Sequence, residues 1–165
     1  MRVIKLGIIS VVVFAFLITG ISLLFPSHVR ISKAIDVQTG KYEVINRLTD
    51  PSNRHSWYNN ADSISLFGKN GKTKLVVNVD DPSNNITDMT VNIVMDGASF
   101  PDTKVREVGW TIIPGNTPNT VTVQWYMDFY LRWYPWEKFS GLLLEKRYGI
   151  VMEKGLERLK TLLEK

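Results

Sequence analysis

Side chains able to do acid–base or metal chemistry are few in this chain. The only histidines are His28 and His55, and there is no cysteine. Neither histidine has a predicted acidic partner, and no Asp, Glu and His residues stand at metal-ligand spacing. Asp128 is the one carboxylate in an apolar and aromatic run, where alternation places it on the outer face of a strand with Tyr126 and Tyr130. We therefore predict no catalytic residue, no metal and no cofactor.

Two polar segments have some features of binding loops. Residues 68–71 contain two glycines, but no helix follows them to complete a phosphate loop. Residues 80–85 contain two aspartates, but they lack the glycine and the later glutamate of a calcium loop. Asn70-Gly71 stands between two strand-like runs, residues 63–67 and 73–79, which is a strong hairpin signal. We interpret both segments as solvated turns.

Large apolar side chains are the stronger candidates, because together they could enclose an apolar ligand. Alternate residues of three predicted strands are apolar, which is typical of strands with one face on an interior. The residues predicted on these inner faces are Met89, Val91, Ile93 and Met95, then Val108, Trp110 and Ile112, then Val121, Val123, Trp125, Met127, Phe129 and Leu131. Trp and Met side chains suit adaptable apolar recognition. The same residues would also fill a closed core.

The stretch from Trp136 to Lys165 predicts one long helix in two halves, with a bend or a change of contacts near Gly149. Gly155 falls in the apolar face of the second half, where no side chain fills the space. The face itself consists of Leu144, Tyr148, Val151, Met152, Leu156, Leu159, Leu162 and Leu163, and a separate stripe before it consists of Trp136, Phe139 and Leu143. Such a helix either caps a core or covers an interior space as a lid.

The N-terminus carries an apolar segment. Leu6–Phe25 is twenty residues without a charge, and as a helix it would span about 30 Å, the thickness of the hydrocarbon core of a bilayer. A cleaved signal peptide is the alternative, but the run is long for one and lacks a small-residue cleavage site. We therefore predict a single-pass membrane anchor over residues 1–27. Flanking positive charges are nearly balanced, and the short N-terminal tail favours an extracytoplasmic position for the domain that follows.

The remaining chain, residues 28–165, predicts one domain. Residues 29–37 alternate as a strand, and residues 40–49 form a short helix with Tyr42, Ile45 and Leu48 on one face. A second short helix should run from Asp50-Pro51 to about Trp57. The order β-α-α-β-β-β-β-β-α then predicts an α+β fold, in which an antiparallel sheet curves around the C-terminal helix.

The net charge of the chain does not indicate nucleic-acid binding. It is +4 overall, but Arg2 and Lys5 precede the apolar segment. Without them, 18 basic residues stand against 16 acidic ones. This balance is too even for binding a phosphate backbone by charge alone. We expect no nucleic-acid partner.

Several motifs together resemble a known superfamily. They are Phe25–Ile31 (FPSHVRI), Leu48–Pro51 followed by Trp57, and the C-terminal segments Trp133–Phe139, Leu144–Lys146 and Glu153–Lys160. This arrangement resembles membrane-anchored members of the START-like superfamily, also called SRPBCC or Bet v 1-like, with the helix-grip fold. Its family label is polyketide cyclase/dehydrase and lipid transport. The resemblance extends over nearly the whole chain.

The resemblance implies an apolar pocket between the sheet and the long helix, holding a lipid or another hydrophobic small molecule. The lining residues it implies are Trp57, Met89, Val91, Ile93, Trp110, Val123, Trp125, Met127, Phe129, Phe139, Leu143, Tyr148 and Met152. Two other functions stay open. One is a polyketide cyclase/aromatase-like enzyme, which would need polar groups pointing inward. The other is a ligand-free envelope module for protein interaction. The aromatic segment Trp133–Trp136 could pack in a corner or touch lipid headgroups.

Overall fold

A five-stranded antiparallel sheet and a C-terminal helix form the framework of the domain. The computed structural model describes residues 2–50, 54–58, 72–77, 90–96, 104–115, 117 and 119–165. Its elements, in chain order, are α1 (Arg2–Ser22), β1 (His28–Val37), α2 (Lys41–Thr49), α3 (Arg54–Trp57), β2 (Lys72–Val77), β3 (Val91–Asp96), β4 (Val105–Pro114), β5 (Val121–Tyr130), α4 (Pro135–Gly141), a π-helical turn (Glu145–Gly149) and α5 (Ile150–Leu163). The predicted α+β class is confirmed.

The strands lie in the order β1-β5-β4-β3-β2, and all neighbours are antiparallel. The first and last strands therefore pair along their whole length, with His28 opposite Tyr130 and Val37 opposite Val121. At about 3.3 Å per residue, β1 carries the chain about 30 Å from the end of α1. The domain thus has one end at α1 and a far end at the β1–α2 connection.

The alternation seen in the sequence matches the two faces of the sheet. In β3 and β4 the buried residues include Val91, Ile93, Val108 and Trp110, as predicted. In β5 burial alternates up to Trp125, after which Tyr126 and Asp128 of the opposite face are buried as well. Because successive side chains of a strand point to opposite faces, one regular pattern was enough to assign the inner face.

The C-terminal helix is interrupted between α4 and α5. Leu142 and Leu143 form a turn after α4, and the π-helical turn that follows ends at Gly149, where we predicted a bend or a change of contacts. Gly149 passes directly into α5 with helical geometry. The predicted apolar face is correct, since Leu144, Tyr148, Met152, Leu156, Leu159 and Leu163 are buried.

Gly155 lets α5 lie close to Trp125 of the sheet. A Cβ atom added to this glycine would lie 2.9 Å from Cζ3 of Trp125. The Trp125 ring itself is fixed by Trp57, Tyr58 and Trp110, whose ring centroids lie 5.7, 6.0 and 5.8 Å away. The Trp125 ring thus occupies the space that the absence of a side chain at Gly155 leaves.

Replacing Gly155 by alanine should therefore destabilise the protein, although alanine favours helices. Overpacking a fixed ring costs about 1–3 kcal/mol, and alanine regains about 1 kcal/mol of helix propensity. We expect a net loss of up to about 2 kcal/mol in the free energy of unfolding, measured by urea titration in detergent. Gly20→Ala is the control, because Gly20 is also helical and an added Cβ there meets no atom within 4 Å. Equal effects at both positions would contradict close packing at Gly155.

The short helix α2 differs from the prediction in one residue. Gly40 is its N-cap and Leu48 is buried, as expected. Tyr42, however, is 71% exposed, and Val44 is buried in its place. A nine-residue helix has a narrow apolar stripe, so a shift of two positions changes which side chain enters the core.

The helix α1 stands apart from the rest of the core. Val3–Ser22 has a mean hydropathy of 2.4 and none of its most apolar window is buried against the protein. It is long and apolar enough to cross a membrane.

Several predicted features lie outside the described residues. They are the strand at residues 63–67, the Asn70-Gly71 turn, the polar turn at residues 80–85 and Met89.

Candidate ligand-binding interior

The predicted inner-face residues come together on one side of the sheet. Val91 is nearly fully buried there. The fully buried residues are Ile93, Trp110, Val123, Trp125, Met127 and Phe129. From the C-terminal helix, Tyr148 and Met152 reach the same interior, and the Phe129 and Tyr148 ring centroids lie 4.9 Å apart. The interior thus brings together most of the side chains that the resemblance implied.

Trp57 enters this interior from the four-residue helix α3. Its ring centroid lies 6.1 Å from that of Trp110 and 5.7 Å from that of Trp125, both in edge-to-face geometry. Tyr58 follows it and also contacts Trp57, with 6.1 Å between ring centroids. The resemblance implies that Trp57 lines a pocket. The structure places it within the aromatic cluster, with no exposed surface.

Phe139 and Leu143 do not belong to the interior, which corrects the prediction for these two residues. Leu143 is 65% exposed, and Phe139 is 37% exposed and packs on Phe25 with 5.4 Å between ring centroids. Phe139 precedes the interruption of the C-terminal helix and Leu143 lies within it. Phe139 faces the end of α1 rather than the sheet.

The described part of the interior is closely packed. A water-sized probe reaches no surface of five central residues, which are Trp57, Trp110, Trp125, Met127 and Met152. Their neighbours in the structure therefore fill the space around them, and a ligand at this place would have to displace side chains. Aromatic and thioether groups can rearrange in this way, because their contacts are apolar and tolerant of direction.

The outer face of the sheet carries a charged cluster that the sequence did not reveal. Asp128 is buried and accepts two hydrogen bonds from Arg30, from Nε at 2.7 Å and from Nη2 at 2.5 Å. Nε2 of His28 lies 3.6 Å from the same carboxylate. The prediction that His28 has no acidic partner is therefore wrong, whereas the placement of Asp128 on the outer face is right.

The β1–β5 register explains the cluster. It sets Arg30 directly opposite Asp128, and His28 two residues earlier on the same face. The pairing of the first strand with the last was the signal that could have found it, because cross-strand neighbours of opposite charge attract. The hydrogen bonding that Arg30 donates to Asp128 raises the pKa of Arg30 above its ordinary value.

Tyr126 extends the cluster across the same face. Its hydroxyl donates a hydrogen bond to Oε1 of Glu107 at 2.9 Å, and the Arg30 guanidinium carbon stands 4.6 Å from its ring centroid. The ring lies over Gly109, where an added Cβ would come within 2.6 Å of Cζ. Burial first, and then the Glu107 carboxylate, raise the pKa of Tyr126 above its ordinary value of 10.0.

This shift predicts a loss of stability in alkali. A tyrosine whose pKa is raised by folding keeps its proton longer in the folded state, so unfolding becomes easier as pH rises above about 10. We expect the free energy of unfolding to fall from about pH 10 upward, and Tyr126→Phe to weaken that fall. The measurement is urea unfolding at a series of pH values. Tyr42→Phe, at an exposed tyrosine, should leave the slope unchanged, and an unchanged slope in Tyr126→Phe would contradict the assignment.

Two surface grooves lie in the described part, and both include polar or charged residues in their linings. One of about 360 Å³ lies at the far end of the domain, between Asp36 and the β4–β5 hairpin, and threonines line much of it. A smaller one of about 120 Å³ lies between β1 and α5, beside Glu153 and Glu157. Among the described residues, no group of His, Asp and Glu could hold a metal ion.

Sequence comparison identifies the family. The family model described as polyketide cyclase/dehydrase and lipid transport matches residues 28–164, which is most of the chain. The chain belongs to this family. The predicted superfamily is thereby confirmed, and membership of the polyketide cyclase/dehydrase and lipid transport family supports a domain that binds a hydrophobic ligand. A comparison with curated proteins found no match.

Solved structures similar to this member of the family are remote in sequence. The human StarD13 (DLC2) lipid transfer and protein localization domain has 12% identity and a TM-score of 0.45, covering 81% of this chain and 76% of that chain. The XoxI protein of Bacillus cereus has 13% identity and a TM-score of 0.42, covering 81% and 94%. The Aha1 dimer of Colwellia psychrerythraea has 16% identity and a TM-score of 0.41, covering 82% and 96%.

Proposed function

We propose that this protein is a membrane-tethered domain that binds a lipid or another apolar small molecule between its sheet and its C-terminal helix. The observation that carries the proposal is the aromatic and methionine interior. Trp110, Trp125 and Met127 of the sheet face Tyr148 and Met152 of the helix side, all buried. Family membership adds an independent reason, since the family takes part of its description from lipid transport.

The ligand would gain its room by displacing Trp57. This tryptophan stands on a helix of only four residues, whereas Trp110 and Trp125 belong to the two central paired strands β4 and β5. Trp57 lies outside the sheet, so moving it leaves the strand pairing in place, whereas moving either of the others would disturb the sheet. Burial of apolar ligand surface, worth about 25 cal/mol per Å² before the costs of association, would replace the contacts of the Trp57 ring.

The tether is α1. We propose that residues 1–27 form a single-pass anchor and that residues 28–165 form the binding domain, on the extracytoplasmic side. The support is the length and apolarity of Val3–Ser22. Only Phe25, Pro26 and Ser27 separate the last turns after α1 from β1, so the domain would stay close to the bilayer surface.

The experiment is native mass spectrometry of the full chain, extracted in detergent, freed of lipid and then mixed with a defined set of phospholipids and fatty acids. We expect a bound species with one ligand per chain. The same measurement on Trp125→Ala, which removes a wall of the interior, should change which ligands bind. No bound species at any ligand concentration would overturn the proposal.

A ligand-free interaction module is the second candidate. The close packing of the described interior favours it, together with the exposed side chains of Trp133, Trp136 and Leu143. It predicts that the mass spectrometry shows no ligand. An enzyme of the cyclase/aromatase type has less support, because the carboxylate buried in the described sheet, that of Asp128, lies on the face away from the interior.

A further inference from the structure

One exposed apolar surface is not explained by ligand binding. It is formed by the segment around α4, and we call it the α4 patch. Its members are Trp133, Trp136, Phe139, Leu142 and Leu143, all exposed. Trp136 alone is 69% exposed, although an exposed tryptophan is costly to keep in water. The patch needs a partner.

The α4 patch is fastened to the end of α1. The ammonium group of Lys138, which is buried, donates hydrogen bonds to the Phe25 carbonyl at 3.0 Å and to the Ser27 hydroxyl at 2.6 Å. The Leu131 amide donates to the Ser27 carbonyl at 2.7 Å, and Phe139 packs edge-on against Phe25. Because a buried charge keeps its partners, this junction fixes α4 beside the point where α1 ends.

The apolar surface is continuous with that of α1. Leu23 and Leu24, which follow the last turn of α1, are exposed like the patch beside them. If α1 spans a bilayer, the α4 patch stands at the level where hydrocarbon meets headgroups. A protein partner would have to bind at this same depth of the membrane, where lipid headgroups are already present.

The composition of the segment fits this level. Trp133, Tyr134 and Trp136 form a row of rings, with centroids 4.8 Å and 5.0 Å apart along the row. Trp and Tyr concentrate at the boundary between membrane and water, because each has an apolar ring and a polar N–H or O–H group. Phe139, Leu142 and Leu143 supply the purely apolar part of the surface.

We infer that the α4 patch lies in the interfacial layer of the bilayer and holds the domain against the membrane as a second contact beside α1. The inference rests on the proposed function in one respect, because it takes α1 to be the anchor. Its consequence is that the end of the β1–β5 pair that contains His28 faces the lipid surface. The far end, with α2, points away.

The test uses the full chain, which has no native cysteine to interfere with labelling. Three single-cysteine variants carry the same fluorophore in phosphatidylcholine vesicles: Leu143→Cys in the patch, Val13→Cys in α1 and Tyr42→Cys at the far end. Nitroxide groups are placed on the lipid either at the headgroup or near the bilayer centre. We expect Leu143→Cys to lose most fluorescence to the headgroup nitroxide, Val13→Cys to the central one, and Tyr42→Cys to neither.

The three labels separate the two claims. Quenching at residue 13 without quenching at residue 143 would overturn the α4 contact while leaving the anchor in place. No quenching at residue 13 would overturn the anchor itself, and the α4 contact with it. In the Leu143→Cys background, Trp133→Ser combined with Trp136→Ser should reduce the headgroup quenching, and Tyr42→Ser should not. Unchanged quenching in the double variant would contradict the role given to these two tryptophans.

Discussion

Trp57→Ala is expected to lower the free energy of unfolding by about 3–5 kcal/mol, as for other large-to-small changes of buried aromatic residues. The ring is fully buried and contacts Trp110, Trp125 and Tyr58. Removing it leaves an apolar cavity that water enters reluctantly. Urea unfolding in detergent measures the loss.

The same variant should bind apolar ligands more tightly than the unchanged protein does. If Trp57 occupies the place of the ligand, its removal takes away the competing side chain. Native mass spectrometry with the same lipid mixture measures the change. Loss of stability with unchanged lipid binding would mean that Trp57 is an ordinary core residue and that any ligand binds elsewhere. Tyr42→Ala is the control, since this aromatic residue is exposed at the far end of the domain and should affect neither quantity.

Arg30→Met is expected to lower the free energy of unfolding by about 2–3 kcal/mol, somewhat less than the loss of one partner from a fully buried ion pair. It leaves the Asp128 carboxylate, which is 6% exposed, with His28 as its remaining basic neighbour among the described residues. Asp128→Leu should cost less, about 1 kcal/mol, because the Arg30 side chain is half exposed and can turn toward water.

The combined variant decides whether the pair acts as a unit. Arg30→Met with Asp128→Leu should be more stable than Arg30→Met alone, since no unpaired carboxylate remains buried. Simple addition of the two single effects would contradict the coupling. Lys33→Met is a matched control: Lys33 pairs with Glu145 at 2.7 Å at an exposed site, so its loss should change stability little.

Alternation and helical periodicity were enough to predict most of the fold. The inner-face residues of β3, β4 and β5 and the buried face of α5 were all readable from spacing alone. These patterns are local, because a strand or a helix fixes the direction of each side chain from its position in the element. The errors arose where two elements meet. Phe139 and Leu143 were assigned to the interior because nothing local shows which partner a short apolar stripe will face.

The charged cluster on the outer face of the sheet also could not be predicted from local patterns. His28 and Arg30 lie near position 30 and Asp128 nearly one hundred residues later, so their meeting depends on the pairing of β1 with β5. Likewise, the residue type at position 155 indicated a space on the face of α5, but only the packing places the Trp125 ring in it.

By itself, the sequence determined the class of the fold, the family, the apolar character of the interior and a segment long enough to span a membrane. The family follows from the resemblance of motifs along the chain, and the other three follow from composition and from repeats shorter than a single element. Only the tertiary structure decided that Trp57 fills the aromatic interior, that Asp128 pairs with Arg30 and that the α4 patch stands beside the end of α1. Those contacts join residues far apart in the chain, and their energies exist only once the sheet has brought the residues together.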